Sequence, residues 1–362
     1  VNRSATAPAR ALRDTGRGTA DDTGRGPLRI GISGTGRIAD KLAGCAHLAP
    51  EVQVVAVSSR DAGRARAFAA RHGIARAHHG DDALAADPDV DLVHVASLNH
   101  LHRRDVIGFL RAGKHVLCEK PFALDAAQAE EMVAVARAEG RFLMDALWSR
   151  FLPSWQRAKQ LVDDGAIGEL LAASAELGFA TDEGPDGRLL NHAVGGGSLL
   201  DSGIYPHAFV SWFLGRPVAI DARAQIGATG VDEQTVCTMT YASGAHAQVR
   251  SSFRAALASA GFLAGTAGSL EVAPRLHRST RLVLRRLGRD DVVEHLPYDG
   301  PGLHLQLAHV ARCIAEARTE SPVMPLDETI AMLRTLDTIR ERIGLDYTGI
   351  APPAGASPPQ AS

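Results

Sequence analysis

No apolar run in the 362-residue chain comes near the roughly 18 residues that a membrane-spanning helix needs. There is no excess of positive charge either. Lys and Arg number 39 against 41 Asp and Glu, a formal net charge of −2 with histidine neutral. Nucleic-acid and membrane surfaces favour basic proteins, so neither is expected as the main partner. Cysteines are few: Cys45, Cys118, Cys237 and Cys313, none paired at the spacing of a zinc knuckle or redox dithiol. They are expected to be small buried side chains in a reducing cytosol, and the chain to be cytoplasmic. His78-His79 and His100-Leu-His102 have no cysteine or carboxylate constellation beside them. They are read as surface histidines, and no metal is expected. No internal repeat is visible.

What the chain does have is apolar content of 45%, enough for a large core, and length for two domains of about 100–200 residues each. Residues 1–27 are rich in Arg, Ala, Thr, Gly and Asp without an apolar run. They are expected to be a disordered arm, or an upstream extension of the start site, and not a secretory signal. A Pro/Ala/Ser-rich tail, residues 348–362, is expected to be disordered too. From Leu28 short apolar runs recur at Leu28–Ser33, Val52–Val57, Asp91–Ala96, Lys114–Glu119 and Arg141–Asp145. Such runs suit strands buried on both faces of a parallel sheet.

Helical patterns separate these runs. In Asp125–Glu139, the residues Ala129, Met132, Val133 and Ala136 paint one face, with Asp125 and Gln128 placed to cap and Gly140 to stop. A second helix is expected over His102–Ala112. After Trp148 come a helix near Pro153–Asp164 and β-like stretches at Glu169–Gly178, Val218–Ile226, Glu233–Ala242, Ala245–Arg254, Arg281–Arg286 and Asp291–Leu296. Helices at Leu303–Ala317 and Leu326–Ile343 finish the chain. The fold class is therefore α/β. It comprises a doubly wound parallel sheet of Rossmann type over residues 28–147, then an α+β domain over 148–347 with a large, mostly antiparallel open sheet.

Gly34-Thr-Gly36-Arg37-Ile38-Ala39 follows the first strand and opens a helix. Gly34 permits a tight turn, Gly36 lets a pyrophosphate approach the backbone, and Ala39 allows close helix–strand packing. The free amides at the helix start favour phosphate, so Arg37 and Ile38 are counted with the cofactor site. The second strand leads into Ser58-Ser59-Arg60, where an acidic residue would select NAD. Ser59 can hydrogen-bond a 2′-phosphate, and Arg60 and Arg64 can pair with its charge. NADP is therefore expected, with NAD as the alternative because Asp61 is able to reach a ribose hydroxyl.

Glu119-Lys120-Pro121 lies at the carboxyl end of an expected strand, the edge where ligands gather in open α/β sheets. Together with Gly34-Thr-Gly36, Asn99 with His102, and Gly195-Gly-Gly-Ser-Leu-Leu-Asp201-Ser-Gly-Ile-Tyr205, this order of motifs resembles the glucose–fructose oxidoreductase / inositol dehydrogenase / MocA family, from Leu28 to Tyr347. Met144–Pro153, Gly203-Ile-Tyr205-Pro and Glu320–Pro325 resemble that family's trans-1,2-dihydrodiol dehydrogenase branch, and bacterial NADP-linked aldose dehydrogenases are similar. Relatives in that branch usually carry Glu where this chain has Asp145.

The resemblance implies that Lys120 and Tyr205 are the catalytic pair. An alcohol gives up a proton as its hydride leaves. Tyr titrates near 10, and an adjacent ammonium favours the phenolate. Asp201, four residues before Tyr205, is expected to orient substrate or Lys120, or to cap a helix. The two share a face only if the helix is continuous, and Pro206 can instead mark a first turn. Trp148, Phe179, His192 and Asp201 are candidate substrate contacts. Asn99, His102, Glu119 and Lys120 are candidates for the nicotinamide approach. The expected function is hydride transfer between a nicotinamide and a carbinol or carbonyl carbon of a sugar or cyclic diol. Two other readings stay open: a glycoside hydrolase-like enzyme with tightly held NAD, and a non-catalytic nucleotide sensor. Self-association into a homodimer or homotetramer through the open sheet is expected.

Overall fold

The computed structural model describes residues 26–347 and residue 350. The arm and tail expected at the two ends otherwise lie outside the described residues. Eleven elements alternate first: β1 (Leu28–Ser33), α1 (Arg37–Cys45), β2 (Val52–Ser59), α2 (Ala62–His72), β3 (Arg76–His79), α3 (Asp81–Ala85), β4 (Leu92–Val95), α4 (His102–Arg111), β5 (His115–Cys118), α5 (Ala126–Ala138) and β6 (Leu143–Asp145). The strands form one parallel six-stranded sheet in the order β3-β2-β1-β4-β5-β6. The order reverses between β1 and β4, opening a crevice beyond their carboxyl ends. Leu92–Val95 is buried throughout, as a strand covered by helices on both faces must be.

Then follow α6 (Pro153–Asp163), β7 (Leu170–Gly178), α7 (Ser198–Asp201), α8 (Ile204–Leu214), β8 (Ala219–Ile226), β9 (Asp232–Thr240), β10 (His246–Ser252), β11 (Gly261–Gly265), β12 (Gly268–Val272), β13 (Arg281–Arg286), β14 (Val292–His295), α9 (Leu303–Ala315) and α10 (Leu326–Ile343). The eight-stranded sheet runs β14-β13-β12-β11-β7-β10-β9-β8, antiparallel except where β10 lies parallel to β7. One face carries Ala175, Leu263 and Val249, all buried, and packs on α6 and α8. The other carries a cross-strand row from Gln248 and Ser174 through Phe262 and Glu271 to Val283 and Val293. This is the expected fold class.

The last two helices return to the first sheet. Helix α9 packs on α1, and α10 lies between α5 and β8, where Asp337 accepts a hydrogen bond from the Ala126 amide at 2.9 Å. Helix α5 is capped as expected, with Asp125 accepting from the Gln128 amide at 2.7 Å. Gln128, however, reaches the Leu124 amide rather than the Asp125 amide. All four cysteines are buried. Among the described residues no helix is long and apolar enough to cross a membrane.

Trp155 on α6 is fully buried, stands edge-on to Phe209 at 5.2 Å, and donates its indole N–H to the Leu276 carbonyl at 2.8 Å. Trp155→Ala should cost about 3–5 kcal/mol in urea unfolding at unchanged m-value. A loss under 1 kcal/mol would show that the packing between α6 and the 276 segment contributes little.

Candidate active site

A cleft of about 1360 Å³ runs from the Gly34–Ile38 turn, between the two sheets, to Tyr205 and the 275–278 segment. At its first-sheet end Gly34 has φ +105°, and a Cβ there would stand 2.8 Å from the Ala96 carbonyl oxygen. A side chain would strain the turn and push β1 away from β4. A Cβ on Gly36 would meet only open space, so the backbone at the head of α1 is accessible to a ligand. Ser33 and Ser58, at the ends of β1 and β2, both donate to Asp81 Oδ1, at 2.9 and 2.6 Å. Asp81 thereby ties the strand ends under the turn, a role with no sequence motif to reveal it.

Ser59, Arg60 and Arg64 line the same end of the cleft. Asp61 is occupied as the cap of α2, accepting from the amides of Gly63 at 2.7 Å and Arg64 at 3.0 Å. The helix thus uses the one carboxylate that competed for a ribose hydroxyl.

The histidines read as surface groups are tied into the structure. His78 lies on the edge strand β3 with Nε2 2.9 Å from Asp87 Oδ2, and His79 contacts the Arg60 carbonyl at 3.1 Å. His102 is fully buried, its ring nitrogens 2.9 Å from the Pro121 carbonyl and 3.2 Å from the Ser97 carbonyl. A neutral imidazole has one N–H, and the shorter contact fixes the segment that carries Lys120. Asn99 is also buried and gives its amide to the Gly195 carbonyl at 2.9 Å, joining the cofactor end to the glycine-rich loop.

Lys120 crosses from the first sheet to α7. Its Nζ donates to the Asp201 carbonyl at 2.8 Å and to Asp201 Oδ1 at 3.1 Å, and lies 5.2 Å from the centre of the Tyr205 ring. Asp201 also accepts from Arg188, at 2.8 Å, out of the loop before the glycine run. Burial opposes charge on Asp201, but Lys120 and Arg188 outweigh it and hold the carboxyl well below the usual range. Burial likewise opposes charge on Lys120, and Asp201 reverses the sign, so the ammonium is retained.

Asp201 and Tyr205 do not sit on one continuous helix. α7 ends at Asp201, and α8 begins at Ile204 with Pro206 in its first turn. Buried Asp232 fixes the start of α7, accepting from Ser198 Oγ at 2.7 Å and the Leu199 amide at 2.8 Å.

Tyr205 accepts a hydrogen bond from Trp148 Nε1 at 3.0 Å. Burial raises the phenol's pKa and Lys120 only partly offsets it, so the expected net lowering is not found in the open cleft. The phenol is held protonated. Two neighbours were missed from sequence. The His277 ring lies 5.4 Å from Tyr205 and 6.3 Å from Trp148. Tyr298 also lines the cleft. Of the remaining candidates, Phe179 lines the cleft and packs on Phe253 at 5.3 Å. His192 stands outside it, with Nε2 2.7 Å from the Asp346 carbonyl and its ring against Tyr347.

Behind Lys120 lies a second buried group. Glu119 Oε1 is 2.9 Å from His94 Nε2. Asp145 is fully buried with neither oxygen hydrogen-bonded among the described residues. Burial, with Glu119 nearby, pushes its pKa up to about 7.

With the geometry in view, comparison with known proteins is informative. Residues 28–146 match a family model described as "Oxidoreductase family, NAD-binding Rossmann fold", and residues 155–271 match the GFO/IDH/MocA C-terminal domain. The chain is 36% identical over 329 residues to trans-1,2-dihydrobenzene-1,2-diol dehydrogenase from Mus musculus, covering 88% of this chain and 98% of that one. Among solved structures, aldose–aldose oxidoreductase from Caulobacter crescentus with glycerol is 29% identical, TM-score 0.80, covering 87% and 97% of the two chains. A 3-ketoreductase from Actinomadura kijaniata, in complex with NADP and TDP-benzene, is 27% identical, TM-score 0.78, covering 88% and 98%. The chain belongs to the Gfo/Idh/MocA oxidoreductase family.

Asp145 binds its proton far more tightly folded, at about 7, than unfolded, where a carboxyl titrates near 3.9. Folding therefore takes up a proton between about pH 4 and 7, and this group's contribution to stability falls as pH rises through that window. Asp145→Asn removes that fall. Relative to wild type, the variant should gain on the order of 2–4 kcal/mol between pH 4 and pH 8 in urea unfolding. Parallel stability curves would show that Asp145 does not titrate there.

Proposed function

We propose, from the chain's place in this oxidoreductase family, that it is an NADP-dependent dehydrogenase/reductase acting on the CH–OH or carbonyl group of a sugar or cyclic diol. The observation that carries this reading is the meeting of Lys120 and Tyr205, from separate parts of the chain, 5.2 Å apart in one cleft with the glycine turn. The residues present fit the dinucleotide. Gly36 leaves the head of α1 open, and Arg37 lies beside it. Arg60 and Arg64 supply positive charge for a 2′-phosphate, while Asp61 is engaged in its helix cap. When bound, the nicotinamide supplies or accepts the hydride.

The chain's own residues manage the proton and the oxygen. In reduction the buried phenol of Tyr205 gives its proton to the carbonyl oxygen, and the Lys120 ammonium stabilises negative charge as it develops there. In oxidation the phenolate takes the hydroxyl proton, stabilised by the Trp148 indole N–H at 3.0 Å and by Lys120. Asp201 keeps Lys120 charged and aimed, and acts through it. Domains of residues 28–147 and 148–347 fit this division of labour, the first holding cofactor and the second substrate. The same reading includes a homodimer or homotetramer formed through the open sheet face around Phe262, which is 37% exposed.

Tyr205→Phe should lower turnover about 10²–10⁴-fold while NADPH affinity, read by fluorescence titration, stays within a few-fold. Unchanged turnover would remove Tyr205 from the chemistry. The double change Arg60→Ala/Arg64→Ala should raise the KM for NADP at least tenfold and leave that for NAD nearly unchanged. An equal effect on both would contradict the 2′-phosphate assignment.

A further inference from the structure

The cleft is lined by more cationic than acidic side chains. Its acids are engaged. Asp105 pairs with Arg104, Asp201 with Lys120 and Arg188, and Glu119 with His94. Asp81 accepts from two serines, Asp61 caps α2, and Glu183 accepts from the Leu189 amide. Arg37, Arg60 and Arg64 stand at the end proposed for the dinucleotide phosphates. Arg275 and Arg278, on either side of His277, also line the cleft, as does Lys41, one helical turn after Arg37 on α1, and among the described residues none of the three is in an ion pair with an acid.

The segment carrying these arginines is a fixed structure. Three successive carbonyls are tied to the protein: Leu276 accepts from Trp155 Nε1 at 2.8 Å, His277 from Ser149 Oγ at 2.8 Å, and Arg278 from Tyr298 Oη at 2.9 Å. The Leu276 amide donates to the Ser259 carbonyl at 2.6 Å. Arg275 and Ser259 are left-handed, at φ 60° and 54°, two of only three such non-glycine residues among those described, and both line the cleft. Such backbone persists only where its surroundings impose it, and it collects at ligand clamps. Between the arginines, His277 reaches the Tyr205 and Trp148 rings, and its Nδ1 is buried with no hydrogen-bond partner among the described residues. Burial, with cations all round it, pushes its pKa down to about 4, so the ring is a neutral hydrogen-bonding group. The two arginines thus stand two residues before and one residue after a side chain that packs against the proposed acid.

We propose that Arg275 and Arg278, with Lys41 of α1, form a subsite for a phosphate carried by the substrate, so that the enzyme acts on a phosphorylated sugar or polyol. This rests on the oxidoreductase reading above, whose hydride and proton steps it leaves unaltered. Guanidinium forks pair bidentately with phosphate oxygens, and an ammonium adds a third positive charge. Steering by the same field would favour anionic substrates on encounter. His277 offers its ring nitrogen to a hydroxyl between the phosphate and the reacting carbon.

The test measures binding of glucose 6-phosphate, glucuronate, glucose and inorganic phosphate by calorimetry, to wild type and to Arg275→Gln/Arg278→Gln, with and without saturating NADPH. The expected result is a Kd for glucose 6-phosphate at least tenfold below that for glucose, lost in the double variant, with NADPH affinity unchanged. The single variant Arg278→Gln, at an exposed position, should give part of that loss and guards against misfolding of the strained turn. Equal binding of glucose and its phosphate overturns the subsite. So does a parallel loss of NADPH affinity, which would assign the cations to the cofactor. A preference for glucuronate replaces phosphate by carboxylate, and inorganic phosphate binding as tightly as the sugar phosphate shows an adventitious ion only; each overturns the proposal as stated. Failure to bind NADPH sinks the oxidoreductase reading instead, and the sugar-phosphate preference is read independently of it.

Discussion

An ammonium group out of water must be paired, and the pairing of Lys120 organises the centre of this molecule. Lys120 leaves the first sheet just beyond β5, and among the described residues its only carboxylate partner is Asp201, at the end of a one-turn helix on the other side of the cleft. The same residue offers its main-chain carbonyl, so the lysine is held in distance and in direction. Everything around Asp201 serves to fix it: Arg188 on its other flank, and buried Asp232 pinning the start of its helix. Because α8 starts three residues later, the position of Asp201 also sets that of Tyr205. A hydrogen-bonded ion pair across two sheets thus determines where a phenol meets a cofactor turn.

Buried charge is handled differently on the two sides of that pair. In front, Asp201 is matched by two cations and stays ionised. Behind, Asp145 has no hydrogen-bond partner among the described residues, lies near Glu119, and holds its proton near neutrality. Two ionised carboxylates in so little solvent would repel, and neutralising one is the less costly arrangement. Arg275 and Arg278, which also line the cleft, are in no ion pair among the described residues and have no low-dielectric setting that would forbid their charge. Both are exposed.

Much of this was legible in the sequence because the signals are local. Leu28–Ser33 followed by Gly34-Thr-Gly36 defines both the strand and the turn, and the structure has β1 with the expected bounds. Periodicity marked α5 and its cap. β3, β11 and β12 were missed. Arg76–His79 is a polar edge strand, and Gly261–Gly265 and Gly268–Val272 are short and open on glycine, formed by pairing with neighbours rather than by their own propensity. The site divides similarly. Lys120, Asp201 and Tyr205 belong to motifs, whereas His277 and Arg188 reach the cleft by tertiary placement with nothing distinctive beside them in sequence. His192 shows the converse, a histidine near a motif that packs against Tyr347 instead. The Tyr205 phenol shows that a correctly named charge can lose to burial, a quantity only the folded chain supplies.

The account depends on Lys120 and Asp201 acting as one unit on the phenol. A double-mutant cycle on kcat/KM with Lys120→Met and Asp201→Asn tests this most directly. The account predicts strong coupling, the double variant being about as impaired as Lys120→Met alone. Losses that simply multiply would mean that the two residues act independently, and the central claim would be wrong.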